Sequence, residues 1–374
     1  MKVLVAGDFC PCGRVEEAIE KKEFASVLDE IRDVTGRVDY SIVNLECPVV
    51  NGDAKPILKQ GPNLRCTSNA IEALCFAGFN CVSLANNHFL DFGGEGVSET
   101  LSVLDYHGID HVGGGLNLRE ASAILYKEVC GQRLAIINCC EHEFSIATET
   151  SAGCNPLNLI NQYKAIKEAR DHADRVLVIV HGGHEHFRLP SLRMIETYHF
   201  LIDIGADAVV NHHQHCFSGY EIYKGFPIFY GLGNFCFDRL SRRDRKWTEG
   251  IMVSIDFERS NPSFIIHPYK QCADKGCVEL LAEDAFADRI KDLNELINAP
   301  DSLKLKLDEY YSSCKDQYRR VFEPIRSRFV LGAIHRGWIP SLISKRRLLS
   351  MYNYMFCESH RDKLLYWLEE SVNN

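Results

Sequence analysis

The sequence predicts an α/β fold in which a largely buried sheet lies between layers of helices. Short apolar runs of strand length, such as KVLVAGD (2–8) and RVLVIVHGG (175–183), alternate with amphipathic stretches of helical length as far as residue 212. From residue 219 to 269 the chain becomes rich in strand-forming residues. We expect these later strands to form a second sheet that packs on the first.

The predicted elements follow one another in a regular order. Strands are predicted at 2–8, 40–46, 81–88, 110–114, 123–129, 133–139, 175–183 and 206–212, and then at 219–235, 249–257 and 263–269. Helices are predicted at 15–33, 69–79, 94–108, 158–173 and 191–204. Gly108 marks the end of one helix, because glycine accepts the left-handed backbone that closes many helices. Further helices at 279–298, 302–331 and 341–371 divide the chain into an α/β domain (1–270) and a C-terminal helical extension (275–374).

Composition and charge argue against several classes of protein. The 374 residues carry a net charge of −9 at pH 7, which is not typical of a general nucleic-acid binder. No apolar run approaches the ~20 residues of a membrane-spanning helix, and the first apolar run is too short for a signal peptide. The 16 cysteines are dispersed, many of them beside apolar residues, as is typical of reduced core thiols. We therefore expect a cytoplasmic protein.

Polar side chains follow five of the predicted strands. They are Asp8; Asn44 and Glu46; Asn86, Asn87 and His88; His181, His184, Glu185 and His186; and His212, His213 and His215. Because ligands bind at the carboxyl ends of strands in open α/β sheets, these groups could converge on one edge. Carboxylate, amide and imidazole groups together are typical ligands of divalent metal ions. Each residue alone also has a structural interpretation, as a helix cap, a turn or a packed histidine.

The sequence NHHQH (211–215) raises the question of which histidines bind. Residues two apart on an extended segment point the same way, so His213 and His215 would deliver two ligands from one strand end. By the same argument, His212 would face the opposite side of the strand and take no part in the site.

Seven blocks of the sequence resemble, in order, those of the capsule-synthesis family known as CapA or poly-γ-glutamate capsule proteins. The blocks are GDFCPCGR (7–14), NLECPV (44–49), LANNHFLDFG (84–93), GGGLNLREA (113–121), HGGHE (181–185), NHHQH (211–215) and GYEIYKGFPIFYGLGNFCFD (219–238). That family resembles a branch of the calcineurin-like metallophosphatases. The resemblance covers about residues 1–270 and implies a four-layer αββα sandwich with two divalent metal ions (Mn, Fe or Zn).

The resemblance also implies roles for the strand-end residues. Asp8 and His215 would bind the first metal ion, Asn87, His181 and His213 would bind the second, and Glu46 would bridge the two ions. His88 would be the general acid, with Asp91 orienting its imidazole and His184 as the first alternative. The substrate pocket would be lined by Glu185, His184, Asn234 and Asn86.

The chain departs from the superfamily pattern in four places. Cys10 stands where the first strand often has a histidine ligand, and Glu46 replaces the usual bridging aspartate. Gln214 replaces a proline, and HGG (181–183) replaces HWG at the pocket wall. Cys10 could be a soft metal ligand or have no role. These changes leave the metal affinity and the substrate open.

Two metal ions about 3.5–4 Å apart can activate water and stabilise the attacking and leaving oxygens of a hydrolysed bond. The resemblance therefore implies a hydrolase of a phosphoester or related bond that acts on an anionic polymer or phosphoester during capsule or polyglutamate synthesis. Two alternatives stay open. One is a non-catalytic metal-containing protein that binds or assembles a capsule polymer, and the other is a metal-free α/β protein with buried histidines.

Residues 335–355 of the C-terminal extension combine basic and apolar side chains. The basic residues are Arg336, Lys345, Arg346 and Arg347, and the apolar ones include Trp338, Ile339 and Leu342. Such a segment could lie on a membrane surface. It could equally be a helix that packs on the sandwich with its charged face in water.

Overall fold

The computed structural model describes residues 1–239, 241, 244–322, 327–338 and 343–373. Its strands are β1 (Lys2–Phe9), β2 (Tyr40–Leu45), β3 (Cys81–Ser83), β4 (Asp110–Val112), β5 (Gly114–Gly115), β6 (Leu125–Val129), β7 (Gln132–Cys140), β8 (Gly153–Cys154), β9 (Arg175–His181), β10 (Ala208–His212), β11 (Tyr220–Tyr223), β12 (Phe226–Phe229), β13 (Asn234–Cys236), β14 (Glu249–Asp256), β15 (Ser263–Gln271) and β16 (Val278–Leu280). Its helices are α1 (Arg14–Glu20), α2 (Phe24–Leu28), α3 (Arg32–Thr35), α4 (Asn69–Phe76), α5 (Gly93–His107), α6 (Leu118–Ala121), α7 (Leu159–His172), α8 (Leu192–Asp203), α9 (Arg245–Thr248), α10 (Ala287–Ile297), α11 (Pro300–Phe322), α12 (Arg328–His335), α13 (Lys345–Phe356) and α14 (Glu358–Asn373).

The larger sheet is built around β1. Its strand order is β16-β15-β14-β1-β2-β3-β4, and β13 pairs with the end of β1. Strands β1 to β4 are parallel, whereas β14 to β16 run antiparallel to their neighbours. The carboxyl ends of β1 and β2 therefore meet at one edge, in a register that places Asp8 opposite Asn44.

The smaller sheet has the order β11-β12-β10-β9-β7-β6. Strands β7, β9, β10 and β12 are parallel, and the edge strands β6 and β11 are antiparallel to them. The register of β9 and β10 places His181 opposite His212. The polar residues at the ends of β9 and β10 thus lie side by side.

Alternation along β1 shows how the layers stack, since successive side chains of a strand face opposite sides of the sheet. Val3 and Val5 belong to the core between the two sheets. Leu4 and Ala6 belong to the core between the larger sheet and helices α1 to α5. Helices α7 and α8 cover the other face of the smaller sheet. The predicted four-layer αββα sandwich is confirmed.

Two predicted elements are wrong. Residues 15–33 do not form one helix, because Lys22 adopts a left-handed backbone (φ 58°) that ends the first helix, and α2 and α3 follow separately. The β-rich stretch does not form a sheet of its own. Strands β11 and β12 extend the smaller sheet, whereas β14 and β15 extend the larger one, because strand pairing is decided by contacts far apart in the chain.

The C-terminal region also differs from its prediction. Strand β16 lies at the start of the helix predicted at 279–298, because it pairs antiparallel with the end of β15. The helices predicted at 302–331 and 341–371 are divided into four, α11 to α14. The larger sheet therefore continues past residue 275, where the extension was predicted to begin.

The segment 335–355 spans more than one element. It contains the last residue of α12 and most of α13, while residues 339–342, with Ile339 and Leu342, lie outside the described residues. Tyr354 of α13 is buried and Trp338 is 72% exposed. Membrane contact through this segment stays a prediction. Among the described residues, no helix is both long and apolar enough to cross a bilayer.

The cysteines behave as the sequence predicts for core thiols. All sixteen lie in the described part of the chain, and all are free. Eleven of them are buried, and burial raises the pKa of thiols such as Cys139 and Cys216. These thiols are therefore protonated small apolar side chains rather than reactive nucleophiles.

Candidate metal centre

The six residues predicted as metal ligands converge at the carboxyl edge of both sheets. Asp8 lies near the end of β1 and Glu46 directly follows β2 of the larger sheet, and the backbone N–H of Glu46 donates to the carbonyl of Phe9 (2.9 Å). His181 ends β9, and His213 and His215 follow β10 of the smaller sheet. Asn87 lies in the turn after β3. We call these six residues the strand-end cluster.

The strand-end cluster contains two overlapping groups of ligand atoms. Glu46, His181 and His213 form one group, and Asp8, Glu46 and His215 form the other, with the ligand atoms of each group within 4.8 Å of one another. Glu46 is common to both groups. This is the arrangement expected when one carboxylate lies between two ions.

Nitrogen and oxygen atoms that can bind metal ions lie close together inside the cluster. His181 Nε2 lies 3.0 Å from the Asn87 Oδ1, 3.1 Å from His213 Nδ1 and 3.7 Å from the Glu46 Oε1. On the other side, His215 Nε2 lies 3.8 Å from the same Glu46 oxygen, and His215 Nδ1 lies 3.6 Å from Asp8 Oδ2. Imidazole nitrogens, an amide oxygen and carboxylates are all groups that can bind divalent metal ions.

Glu46 provides the test of whether metal ions fit. It is fully buried, and neither carboxylate oxygen has a hydrogen-bond partner among the described residues. Burial, with the nearby Asp8 carboxylate, raises the pKa of Glu46 well above its ordinary value. Buried polar groups are nearly always hydrogen-bonded in native proteins, and a buried carboxylate needs a cation. The residues therefore fit a pair of divalent ions that share Glu46.

Burial also sets the protonation of the histidines. It lowers the pKa of His181 well below its ordinary value, and that of His215 below its ordinary value. Both rings are therefore neutral near pH 7 and keep one nitrogen lone pair for a metal ion.

The extended geometry predicted for NHHQH (211–215) is wrong. Strand β10 ends at His212, and the backbone turns left-handed at His213 (φ 90°) and His215 (φ 54°), so the segment is not extended. His213 and His215 still reach the cluster. His212 does not face away from it, because its Nδ1 lies 3.2 Å from Asp8 Oδ1.

His212 lowers the pKa of Asp8, the residue predicted to bind the first metal ion. Burial alone would raise the pKa of Asp8, but contact with His212, together with His215 and Asn44, lowers it below its ordinary value. Asn44 Nδ2 donates to Asp8 Oδ1 (2.8 Å). Asp8 is therefore held as a carboxylate before any metal binds. Cys10 is buried, and in the described part of the chain it belongs to neither ligand group.

The sequence predicts that Asn234 lines the pocket, but in the structure Asn234 supports His215 instead. It is fully buried, its Oδ1 lies 2.9 Å from His215 Nδ1, and its amide donates to the carbonyls of His215 and Trp247. Accepting the proton of Nδ1 leaves Nε2 of His215 free on the side of Glu46. Asn234 therefore fixes the tautomer and the orientation of the His215 ring.

The GLGNF sequence brings Asn234 to this position. A Cβ atom on Gly7 would lie 2.0 Å from the carbonyl oxygen of Gly233, and Gly233 has a positive φ of 82°. Only glycine at both positions permits this approach. The Asp8 N–H donates to the Gly233 carbonyl (3.0 Å), and Asp8 then pairs with Asn234 in the β1–β13 register.

Asn86 also lies outside the pocket, contrary to its prediction. It is fully buried, and its amide donates to the Leu45 carbonyl (2.8 Å) and contacts Asn44 (3.3 Å). Its Oδ1 accepts from the His88 N–H (3.1 Å). Asn86 therefore shapes the turn that presents Asn87 and His88.

His88 contacts Asp91 as predicted, but a lysine that the sequence analysis missed joins them. His88 Nδ1 lies 2.7 Å from Asp91 Oδ2 and 3.0 Å from Lys59 Nζ, and Lys59 also forms a buried ion pair with Asp91. Burial and the Lys59 charge lower the pKa of His88 to about 4, although Asp91 acts in the opposite direction. The His88 ring is therefore neutral near pH 7, although Asp91 contacts it.

A cleft with a volume of about 330 Å³ opens beside the strand-end cluster. From the sandwich it is lined by Asn87, His88 and His213 of the metal centre and by Lys59, Glu143, Glu185 and His186. Glu185 lies in this cleft, and its place in a substrate pocket stays a prediction. His184 does not, because it is buried with its Nε2 2.9 Å from the Tyr311 hydroxyl of α11. The cleft is also lined by side chains from the C-terminal extension.

Comparison with known proteins gives one family and several relatives. Residues 2–239 match the family described as bacterial capsule synthesis protein PGA_cap. The chain is 31% identical over 247 residues to the capsule biosynthesis protein CapA of Bacillus anthracis, which covers 64% of this chain and 60% of the relative. It is 31% identical over 242 residues to the PGA biosynthesis protein CapA of Bacillus subtilis (strain 168), with 64% of each chain covered.

Solved structures show weaker likeness. A hypothetical protein from Thermus thermophilus aligns with a TM-score of 0.46 at 19% identity, over 75% of this chain and all of the other. A 5'-nucleotidase precursor from the same organism aligns with a TM-score of 0.44 at 14% identity, over 78% and 57% of the two chains. The chain spans about three fifths of the length of the two Bacillus relatives.

Proposed function

The chain belongs to the bacterial capsule synthesis protein family PGA_cap, and from that premise we propose that it is a metal-dependent hydrolase. The proposed bond is a phosphoester or a related bond in a capsule component or its precursor. The single observation that supports this most strongly is Glu46, a fully buried carboxylate between two sets of histidine and oxygen ligands. Structural stability alone gives no reason to bury such a group.

Each residue of the strand-end cluster has a defined place in this proposal. Asp8, Glu46 and His215 would hold one ion, and Glu46, Asn87, His181 and His213 would hold the other. When bound, two divalent ions supply an activated water and stabilise negative charge on the oxygens of the scissile bond. Asn44 and Asn234 hold Asp8 and His215 in the geometry that binding requires.

His88 is the proposed general acid. It lines the cleft beside Asn87 without belonging to either ligand group among the described residues. Asp91 fixes the ring through Nδ1, so that Nε2 is the atom available to a leaving group. An anionic substrate beside the ring would raise its pKa and oppose the effect of Lys59, because negative charge favours the protonated form.

The names of the relatives suggest the biological setting. One is called a capsule biosynthesis protein and the other a PGA biosynthesis protein. We place this chain in the same kind of process, with an anionic polymer or its phosphorylated precursor as the substrate class. The competing role is that of a metal-containing protein that binds or assembles such a polymer without cleaving a bond.

A metal and turnover assay separates the two roles. Purified protein should contain about two equivalents of divalent metal, and protein stripped by a chelator and reloaded with Mn²⁺ should hydrolyse phosphomonoesters or phosphodiesters. A chain that binds two ions but hydrolyses none of these esters would favour the assembly role. A chain that takes up no metal would contradict both roles.

Replacing Asn234 tests the support of the first metal site. Asn234→Ala should leave the fold intact but weaken binding of one of the two ions by about 10- to 100-fold, because His215 loses the partner that orients it. The measurement is a Mn²⁺ titration that resolves two sites. Asn161→Ala, on the surface of α7, is the control and should titrate like the wild type. Equal weakening of both sites would mean that Asn234 supports the fold rather than His215.

A further inference from the structure

The C-terminal extension forms one wall of the metal cleft. Three of its helices contribute side chains there, namely Tyr310, Cys314 and Gln317 from α11, Asn353 from α13, and Ser359, His360 and Lys363, which lie on α14. The match to the family ends at residue 239. This wall is therefore built from a part of the chain that the family resemblance does not describe.

Specific contacts hold the extension against the sandwich. Arg193 of α8 contacts both Asp362 of α14 (3.1 Å) and Glu141 after β7 (2.8 Å). His142 contacts Glu358 at the start of α14 (2.6 Å). These ion pairs fix α14, and with it the side chains that α14 directs into the cleft.

Phe187 and Tyr310 fix the other helix of the wall. Their rings stack with centroids 4.1 Å apart, which anchors α11 to the loop that follows β9. The neighbouring His184 reaches the same helix through Tyr311. Two of the three helices of the wall, α11 and α14, are thus each bound to the sandwich next to the strand-end cluster.

Lys363 is the feature of this wall that the fold does not explain. Its side chain is 8% exposed and lines the cleft. Its Nζ donates to the Tyr310 hydroxyl (3.3 Å) and lies 5.4 Å from the centre of that ring. Among the described residues no carboxylate lies within 4.0 Å of it, and that holds for Glu143 and Glu185 in the same cleft.

Lys59, the second lysine of the cleft, differs from Lys363 in having an ion-pair partner among the described residues. The Lys59 side chain is 2% exposed, but its charge is balanced by an ion pair with Asp91. Burying a charged amine costs free energy unless an opposite charge or strong acceptors compensate. At Lys363 the described residues supply one phenol hydroxyl within hydrogen-bonding distance, which leaves this amine able to bind an anion from outside the chain.

We propose that Lys363 binds an anionic group of the substrate while another part of the same molecule occupies the metal centre. The proposal rests on the proposed function and makes it more specific. The substrate carries at least two anionic groups, one at the scissile bond and one that reaches α14. The chemistry that Lys363 recognises is an oxyanion, either a phosphate or a carboxylate.

Two-ended anions are molecules with one anionic group at each end of a short linker. Their binding to the Mn²⁺-loaded protein tests this proposal without turnover. Isothermal titration calorimetry at fixed ionic strength would compare methylphosphonate with bisphosphonates linked by two, three and four carbons, and with phosphonocarboxylates of the same lengths. At least one two-ended anion should bind about tenfold or more tightly than methylphosphonate, because it gains a charge-assisted hydrogen bond. The series that binds best identifies the second group as phosphate or carboxylate.

Variants of Lys363 test whether this residue causes the tighter binding of two-ended anions. Lys363→Met should abolish the preference for two-ended anions and leave methylphosphonate affinity and metal content unchanged, while Lys363→Arg should retain most of it. Lys315→Met, at an exposed lysine of α11, is the matched control and should behave like the wild type. The proposal is overturned if the wild type shows no preference, or if Lys363→Met keeps it. Loss of turnover with the preference intact would instead contradict the hydrolase function alone.

Discussion

Glu46→Gln should leave the protein folded but remove both metal ions, and turnover should fall by at least about 1000-fold. Glu46 is the only residue common to the two ligand groups in the described part of the chain, so its loss affects both sites at once. An amide of the same shape keeps the packing but removes the negative charge that the two ions share. Metal analysis and the turnover assay with Mn²⁺ measure the two effects.

The same substitution should stabilise the protein when metal is absent. Among the described residues neither oxygen of Glu46 has a hydrogen-bond partner, so the metal-free wild type carries a buried acidic group without compensation, and a neutral amide is less costly there. We expect the free energy of unfolding of the metal-free variant to exceed that of the metal-free wild type by about 1–3 kcal/mol. A chelator should lower the melting temperature of the wild type, which loses bound metal, but should not change that of Glu46→Gln.

Glu185→Gln is the matched control for Glu46→Gln. Glu185 is a carboxylate of the same cleft that belongs to neither ligand group among the described residues. The Glu185→Gln variant should keep two metal ions, and its melting temperature should still fall on addition of a chelator. If Glu46→Gln retained both ions, or if the metal-free variant were less stable than the wild type, Glu46 would be a packing residue and the metal centre would have to be abandoned.

The position of the strand-end cluster could be predicted because it depends on topology. In each sheet, neighbouring parallel strands place their carboxyl ends at the same edge, so Asp8 meets Asn44 and His181 meets His212. Apolar runs followed by polar residues are visible in the sequence, and the rule needs no side-chain detail. The same is true of the αββα layers, which follow from alternating strands and amphipathic helices.

Side-chain directions beyond the strand ends could not be predicted in the same way. His213 and His215 follow the end of β10 in a left-handed turn, so a rule for extended chains assigned His212 to the wrong side. Asn234 was assigned to the pocket through the family resemblance of its GLGNF block. Its actual contact with His215 depends on how closely Gly233 approaches Gly7, which no local pattern records.

The two lysines of the cleft were missed for a different reason. Lys59 lies in an irregular segment between β2 and α4, and Lys363 lies on the last helix, far from every strand end. Neither position has a periodic pattern or a motif. Their burial results from packing between segments that are distant in the chain, and an ordinary lysine in a charged stretch gives no signal of it. A buried lysine could be recognised only once the fold had placed it beside the metal centre.

His88→Asn should keep the fold and both metal ions but reduce turnover by about 10²–10⁴-fold on esters with leaving groups of high pKa. An alkoxide leaves slowly unless it receives a proton, and His88 lines the cleft with Nε2 as its free nitrogen. A nitrophenolate leaves without protonation, so activated nitrophenyl esters should be hydrolysed at close to the wild-type rate. The measurement is the ratio of kcat for an alkyl ester to kcat for a nitrophenyl ester at equal metal content.

His186→Asn is the matched control, because His186 lines the same cleft and should leave that ratio unchanged. An equal loss on both esters, or a loss of metal, would falsify the role of His88 as the acid and make it a ligand or a structural residue. His184, the alternative that the sequence analysis favoured, could not replace it, since its ring is buried against Tyr311. The proton would then have to come from Lys59, whose ammonium group lies 3.0 Å from His88 Nδ1 in the wall of the cleft. Lys59→Met should in that case reproduce the selective loss on alkyl esters that His88→Asn failed to show.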